Sequence, residues 1–346
     1  MKNTKIQNIN YHIITAFISL CVLIIFVVNP GINHYQPSKF EDMVYGKAWK
    51  PFVYRTLLPT TVRVVSAPVP MSIRTSLSEM VDETESLKKL FEKLKWEKEF
   101  FVEYFVAMFL MFLSLWGFAI AVRYLFALFY DTTTLLANLV SILALLGLPT
   151  MFMYTSFLYD FPSLLLYTLG LIFLYKQDWK KFLILYPVAC INKETTILLT
   201  IIYFIYYRHK LRADNFYKLL FFQLTIFAVI KVLLFVLFKS NPGTFVEFHL
   251  VDHNLGLLTG YNLSVAFAVL GLIMLVYYKW QEKPLFIRTT LWALVPLVIL
   301  TLFFGYLDEL RDYYEVYPTV IILISHSIAS VMGLEFNLKT ANNIPK

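Results

Sequence analysis

From Ile13 to Val28 the chain reads IITAFISLCVLIIFVV, without a single charge. Runs of this kind recur along its whole length, and they constrain the fold more than any other feature. About 20 apolar residues cross a bilayer as a helix, and shorter spans occur inside a bundle. Ten stretches qualify: 11–29, 99–126, 133–150, 161–176, 182–191, 195–207, 216–238, 264–279, 289–305 and 316–334. The fifth and sixth are short and flank CINKET. They read as a broken pair, tolerable only when buried among other helices or lining a wet cavity. Hydrophobic residues make up 59% of the chain and charged residues 15%, against ~25% charged in soluble domains. The expectation is an all-α polytopic membrane protein.

The first run follows Lys2 and Lys5, and no small-x-small cleavage site comes after it. It reads as a retained signal anchor over residues 1–29. Cys21 and Cys190 both fall inside spans, which gives neither a disulfide framework nor a metal spacing. Orientation follows from lysine and arginine in short loops. One set of segments holds Lys2, Lys5, Arg123, Lys176, Lys180, Lys181, Arg208, Lys210, Arg212, Lys279, Lys283, Arg288, Lys339 and Lys346, fourteen in all. The opposite short loops hold three: Lys193, Lys239 and Arg311. Both termini are therefore expected in the cytoplasm of a plasma or inner membrane, with residues 335–346 as a cytoplasmic tail. The net charge of +7 reflects this bias. It does not point to nucleic acid, because no basic face interleaved with aromatics lies outside the spans.

This orientation gathers the polar islands on the outer face. They are the loop 30–98, FLYDFPS (157–163), INKET (191–195) and GYLDELRDYYEVYP (305–318). At about 69 residues, the loop 30–98 is long enough to need structure of its own. Its first part mixes aromatic and aliphatic residues with single charges, as an interfacial segment does. Its last part, SLSEMVDETESLKKLFEKLKWEKEF, reads as an amphipathic helix, with Ser76 and Glu79 at capping-box spacing. Leu87, Leu90, Phe91 and Leu94 make its apolar stripe. The bundle 99–334 follows.

Several residues carry candidate chemistry. Tyr54 and Arg55 in PFVYRTLLP, and Arg63 just beyond it, are candidate substrate-binding residues. The two arginines lie about 80° apart on a helical wheel, and arginine suits bidentate phosphate binding. Lipid headgroup contact is the plainer reading. Asp160 reads as a helix N-cap before Pro162 or as a catalytic carboxylate. Lys193 and Glu194 sit in the break between two short spans, where a charged pair is costly unless paired or hydrated. Glu309 and Arg311 read as a phosphate-binding arginine with its orienting carboxylate, or as a solvated cap. His249 and His253 in EFHLVDHN have a metal-compatible i, i+4 spacing. They lack a third strong ligand, so a polar loop is the better reading and no metal is assigned. Lys231 lies inside the seventh span and reads as snorkelling outward or meeting an anion in the bundle.

Together EDMVYGKAW, PFVYRTLLP, YDFPS, NKETTILL and DELRDYYEVYP, in an architecture with a long first outer loop, resemble the GT-C superfamily of polytopic glycosyltransferases. The resemblance covers most of the chain as architecture. It implies a sugar donor on a polyprenyl phosphate or diphosphate, used at the extracytoplasmic face. It also implies a carboxylate base in the first outer loop, at Asp42 or Glu41, and it leaves a divalent cation open. The expected partners are the lipid-linked donor and membrane lipid. The chemistry is independently reasonable, since a base must take the acceptor proton and cations must stabilise the leaving phosphate. Two other classes stay open. A transporter or flippase would place ionisable groups near the midplane and show repeated halves, and a non-enzymatic assembly protein would tolerate neutral outer turns.

Overall fold

A computed structural model of the chain describes residues 2–258, 260, 263–334 and 336–339. It is 76% helical. The helices are α1 (Lys2–Val28), α2 (Phe40–Val44), α3 (Leu57–Ser66), α4 (Met71–Glu83), α5 (Glu85–Leu94), α6 (Phe101–Phe129), α7 (Thr134–Gly147), α8 (Asp160–Tyr175), α9 (Trp179–Asn192), α10 (Ile197–Tyr207), α11 (Ala213–Leu237), α12 (Leu263–Tyr277), α13 (Leu285–Thr290), α14 (Leu294–Phe304) and α15 (Tyr317–Val331). The strand pairing described is a two-residue ladder, Tyr130–Asp131 antiparallel to Asn337–Leu338. The rest of the expected tail, 340–346, lies outside the described residues.

Each expected span coincides with helix. Among the described residues, five stretches are long and apolar enough to cross a membrane: Asn8–Val28, Lys98–Phe129, Thr134–Met151, Ala213–Leu237 and Leu285–Phe304. Asp160–Tyr175, Glu194–Tyr207, Phe267–Tyr277 and Tyr317–Val331 are apolar but shorter. The chain is an all-α membrane protein by these helices.

The core forms around α6, which packs against α1, α3, α7 and α8. Its residues Met111, Leu115, Phe118, Val122 and Leu125 are fully buried. Their spacing of three and four keeps them on one face. Behind them α8 meets α10 closely: a Cβ at Gly170 would sit 2.5 Å from Leu199 Cδ1. The expected break at INKET is present. Lys193 is extended (φ −156°, ψ 144°) between α9 and a 3-10 turn at Glu194–Thr196 that leads into α10. Pro187 lies inside α9.

The connections sort to two ends of the bundle. At one end, Ser156 Oγ donates to Phe26 O, Lys50 N to Pro242 O, and Tyr154 Oη to Asp308 Oδ2. At the other, Arg123 reaches Asn8, Lys176 reaches Tyr124, and Lys339 reaches the backbone at Ala127 and Phe129.

The loop 30–98 is ordered, but not as one amphipathic helix. Thr84 is extended and separates α4 from α5. The helix begins at Met71, so Ser76 lies inside it and caps nothing. Of the expected stripe, Phe91 and Leu94 are buried and Leu90 is exposed.

Candidate functional site

The segment 157–160 builds the site's floor. Phe157 and Tyr159 lie on one side with their rings stacked, centroids 5.1 Å apart. Phe52 extends the stack, 5.3 Å from Phe157. Each of the first two rings carries a guanidinium: Arg311 is 4.0 Å from the Phe157 centroid and Arg55 is 4.6 Å from that of Tyr159. Cation–π attraction strengthens where water is excluded. Two arginines distant in sequence are thus brought together by two residues of a single turn. Asp160 follows, at the start of α8. Its Oδ2 accepts from Phe157 N at 3.2 Å and faces Arg311 Nη1 at 3.6 Å. Asp160 is therefore a buried counter-ion that also ties down the turn before α8; it is the helix's first residue, and the expected N-cap position falls to Tyr159, with no side-chain cap.

Carboxylates hold the arginines. Arg55 forms a two-pronged pair with Glu194 and donates to the Tyr159 hydroxyl. Arg311 donates through Nε to Glu309 Oε1 at 3.0 Å, and Nη2 reaches the same oxygen. Lys193 Nζ sits 3.0 Å from Glu315 Oε1, which also accepts from the Thr195 hydroxyl. A buried ion pair is often 1–4 kcal/mol less favourable than a well-packed apolar replacement. Two such pairs, Arg311–Glu309 and Lys193–Glu315, buried on both sides in so apolar a chain, therefore point to a functional site more than to stability.

Burial acts oppositely on the two partners at Arg311. It pushes the Glu309 carboxyl up, and Asp312 and Asp160 add to it; together they outweigh Arg311 and bring the group to about 7. Burial also works against the Arg311 charge, but Asp160 and Glu309 more than offset it and leave the guanidinium firmly charged.

These groups face one cavity of about 820 Å³. Its polar wall includes Tyr35, Tyr54, Arg55, Lys193, Glu194, Glu247, His249, Tyr306, Glu309, Arg311 and Asp312. Its apolar wall comes from Phe227, Val232, Leu234 and Phe235 of α11 and Leu297, Leu300 and Phe304 of α14. Val232, Phe235, Leu300 and Phe304 line the cavity and are themselves exposed. The volume falls within the usual range for small-molecule sites, ~300–1,000 Å³.

Of the residues singled out from sequence, Tyr54, Arg55, Lys193, Glu194, Lys231, His249, Glu309 and Arg311 meet on this cavity. Asp160 lies directly behind Arg311. Four others lie elsewhere. Arg63 is exposed on α3; that helix starts only at Leu57, so Arg55 precedes it and the expected shared wheel does not exist. Glu41 is buried against α6, where it accepts from Asn33 Nδ2 at 3.0 Å and from the Tyr104 hydroxyl. Asp42 is half-buried on α2 and is not among the lining residues. The Glu41–Asp42 pair therefore does not converge with the arginines, because Glu41 is held by Asn33 and by Tyr104 of α6. His253 pairs with Asp308 at 2.8 Å, and His249 with Asp252 at 3.0 Å. The two histidines thus turn to separate carboxylates, and among the described residues no three His, Cys, Asp or Glu side chains could hold a metal ion.

Sequence reasoning missed the Phe157–Tyr159 platform, Asp312 and the whole α11–α14 wall. The alternation in FLYDF was the available signal for the platform. Comparison with protein families, curated proteins and solved structures returns no match.

Proposed function

We propose that the chain is a membrane glycosyltransferase of GT-C-like architecture, taking a sugar from a polyprenyl-phosphate donor at the extracytoplasmic face. The observation that carries this reading is the junction of Arg55 and Arg311 with an apolar wall from α11 and α14 in a single cavity. A phosphate would lie on the arginines and an isoprenoid chain along α11 and α14. The architecture would have about ten crossings, with the shorter helices α8, α9, α10, α12 and α15 completing a bundle around the five long ones. Terminal segments at one end of the bundle favour an even number.

The base moves from the first loop to Glu309. It lines the cavity, it is pushed up to about 7 by burial, and a base near the working pH is the effective kind. A phosphate entering beside Arg311 would displace Glu309 from the guanidinium, while Asp160 keeps Arg311 in place from behind. The freed carboxylate then takes the proton of the acceptor hydroxyl as that oxygen attacks the sugar's anomeric carbon. The bond to the phosphate breaks, and its electrons stay on the leaving oxygen, facing Arg55 and Arg311.

The test is isolation of the protein from its native membrane in mild detergent and identification of bound lipid by mass spectrometry. A co-purifying polyprenyl phosphate or its glycoside is expected, with less retained by Arg311→Lys, whose ammonium lacks the bidentate fork. Lysine is the informative change because alanine would strand Asp160 and Glu309 at a cost of about 3–5 kcal/mol. Absence of any isoprenoid lipid from the wild type sinks the donor assignment.

A further inference from the structure

A second, much smaller cavity adjoins the first, and Lys193 and Thr195 line both. Its other polar walls come from Ser163 and Tyr167 of α8, Asn192 of α9, and Glu315. It measures about 10 Å³, close to the ~10–15 Å³ that one water molecule needs.

Among the described residues, three polar atoms of this lining have no hydrogen-bond partner: Tyr167 Oη, Asn192 Oδ1 and Glu315 Oε2. All three side chains are more than nine-tenths buried. A buried polar group without a partner is costly, and a charged one most of all. The neighbouring groups are already engaged. Ser163 Oγ donates to Tyr159 O at 2.7 Å and accepts from Asn192 Nδ2 at 2.8 Å. The Thr195 hydroxyl donates to Glu315 Oε1, and that of Thr196 to Ala189 O and Lys193 O. Nor can the Asn192 amide be reversed. Its Nδ2 also donates to Tyr159 O at 3.2 Å, and a carbonyl oxygen only accepts. Oδ1 is therefore the end left over.

This inventory defines what fits. Asn192 Oδ1 and the carboxylate oxygen Glu315 Oε2 only accept, whereas the Tyr167 hydroxyl can donate. Lys193 Nζ meets Glu315 Oε1 at 3.0 Å, which takes one of its three protons. Two acceptors and two donors around so small a space match the two protons and two lone pairs of a single water. A metal cation would be repelled by the Lys193 ammonium, and an anion by Glu315.

We infer that this cavity is a binding site for one water molecule, which donates to Asn192 Oδ1 and Glu315 Oε2 and accepts from Tyr167 and Lys193. The water joins α8, α9, the INKET break and the turn that also carries Glu309 and Arg311. It completes the Lys193–Glu315 pair and is a fixed part of the wall behind the larger cavity. The inference is independent of what that larger cavity binds.

The experiment has two arms, both on the purified full-length protein in detergent. The first is a high-resolution cryo-EM or crystal map. One peak is expected roughly 2.7–3.2 Å from Asn192 Oδ1, Glu315 Oε2 and Tyr167 Oη. No peak there, with Tyr167 bonded directly to Glu315 or with the space dry, overturns the inference. The second arm is thermal unfolding of Tyr167→Phe, in which the sign is diagnostic. Deleting a hydroxyl that has no partner is neutral or stabilising, whereas deleting one that holds a water leaves that water and its other partners short. The variant should therefore melt lower by about 2 °C. Melting at or above the wild-type value overturns the inference. Sodium chloride and choline chloride at equal ionic strength separate water from a cation. Equal wild-type melting temperatures are expected, and a sodium-specific rise that Tyr167→Phe abolishes overturns the inference in favour of a cation site. The map decides alone if the variant does not fold.

Discussion

Arg311 is placed by Phe157 beneath it and Asp160 behind it, and Glu309 is its carboxylate partner on the cavity lining. A carboxyl whose folded value is about 7, against ~4.3 for an ordinary glutamate, is held preferentially in its protonated form by the fold. The folded state then binds more protons than the unfolded state between those values. Stability is fully present below the ordinary value and is lost as pH rises through about 7. The melting temperature in detergent should therefore fall between pH ~5 and ~7, and Glu309→Gln should flatten that slope. Activity should run the other way, rising as Glu309 ionises. An unchanged slope in the variant would remove Glu309 from both roles. At this scale the sequence was legible in types and poor in partners. Arg55, Arg311, Lys193 and Glu194 stood out because charge is rare in so apolar a chain. Glu41 stood out equally and proved to be tied to Asn33 and Tyr104, contacts that no local pattern displays.

The segment EFHLVDHN shows what an element can do that its residues do not advertise. Its histidines have a metal-compatible spacing but read better as a polar loop, and its main structural contribution comes from Asn254. The amide nitrogen donates to the carbonyls of Thr301, Leu302 and Gly305 at 3.0, 2.8 and 2.9 Å, and Oδ1 accepts from Leu307 N at 2.9 Å. His249 N adds a bond to Phe303 O at 2.8 Å. The last carbonyls of a helix lack partners within it, so this loop caps α14 from outside and fixes the turn that carries Glu309 and Arg311. The turn is also tight: a Cβ at Gly305 would lie 2.5 Å from Asp312 Oδ2. Asn254→Ala should leave those carbonyls short of donors, cost about 1–3 kcal/mol, and speed hydrogen exchange at residues 301–308 more than in α6. Uniform exchange across both would mean that the cap does not position the turn. Helices and the INKET break were readable from apolar run length and from Lys193–Glu194. A cap supplied by another segment has no sequence period and was not readable.

At the scale of the molecule, the short loops poor in basic residues collect at the end that holds the cavity, together with the long loop 30–98, and Arg123, Lys176 and Lys339 collect at the other. The membrane class was legible because apolar runs of spanning length have few other uses. The number of crossings was not, because α8, α10 and α15 are each too short to span hydrocarbon as straight helices and find their cover in packing. Sidedness is where the functional reading is most exposed. A lipid-linked donor used outside requires the cavity end to face away from the cytoplasm, the orientation expected from the basic residues of the short loops. Cys21 and Cys190 would first be replaced to give a clean background. A cysteine at Glu79, exposed on α4, should then react with a membrane-impermeant maleimide in intact cells. One at Lys180, exposed near the start of α9, should react only after the membrane is opened. The reverse pattern would place Arg55, Arg311 and Lys231 on the cytoplasmic side. The cavity could still bind an anionic amphiphile there, but transfer from an outward-facing donor would be excluded.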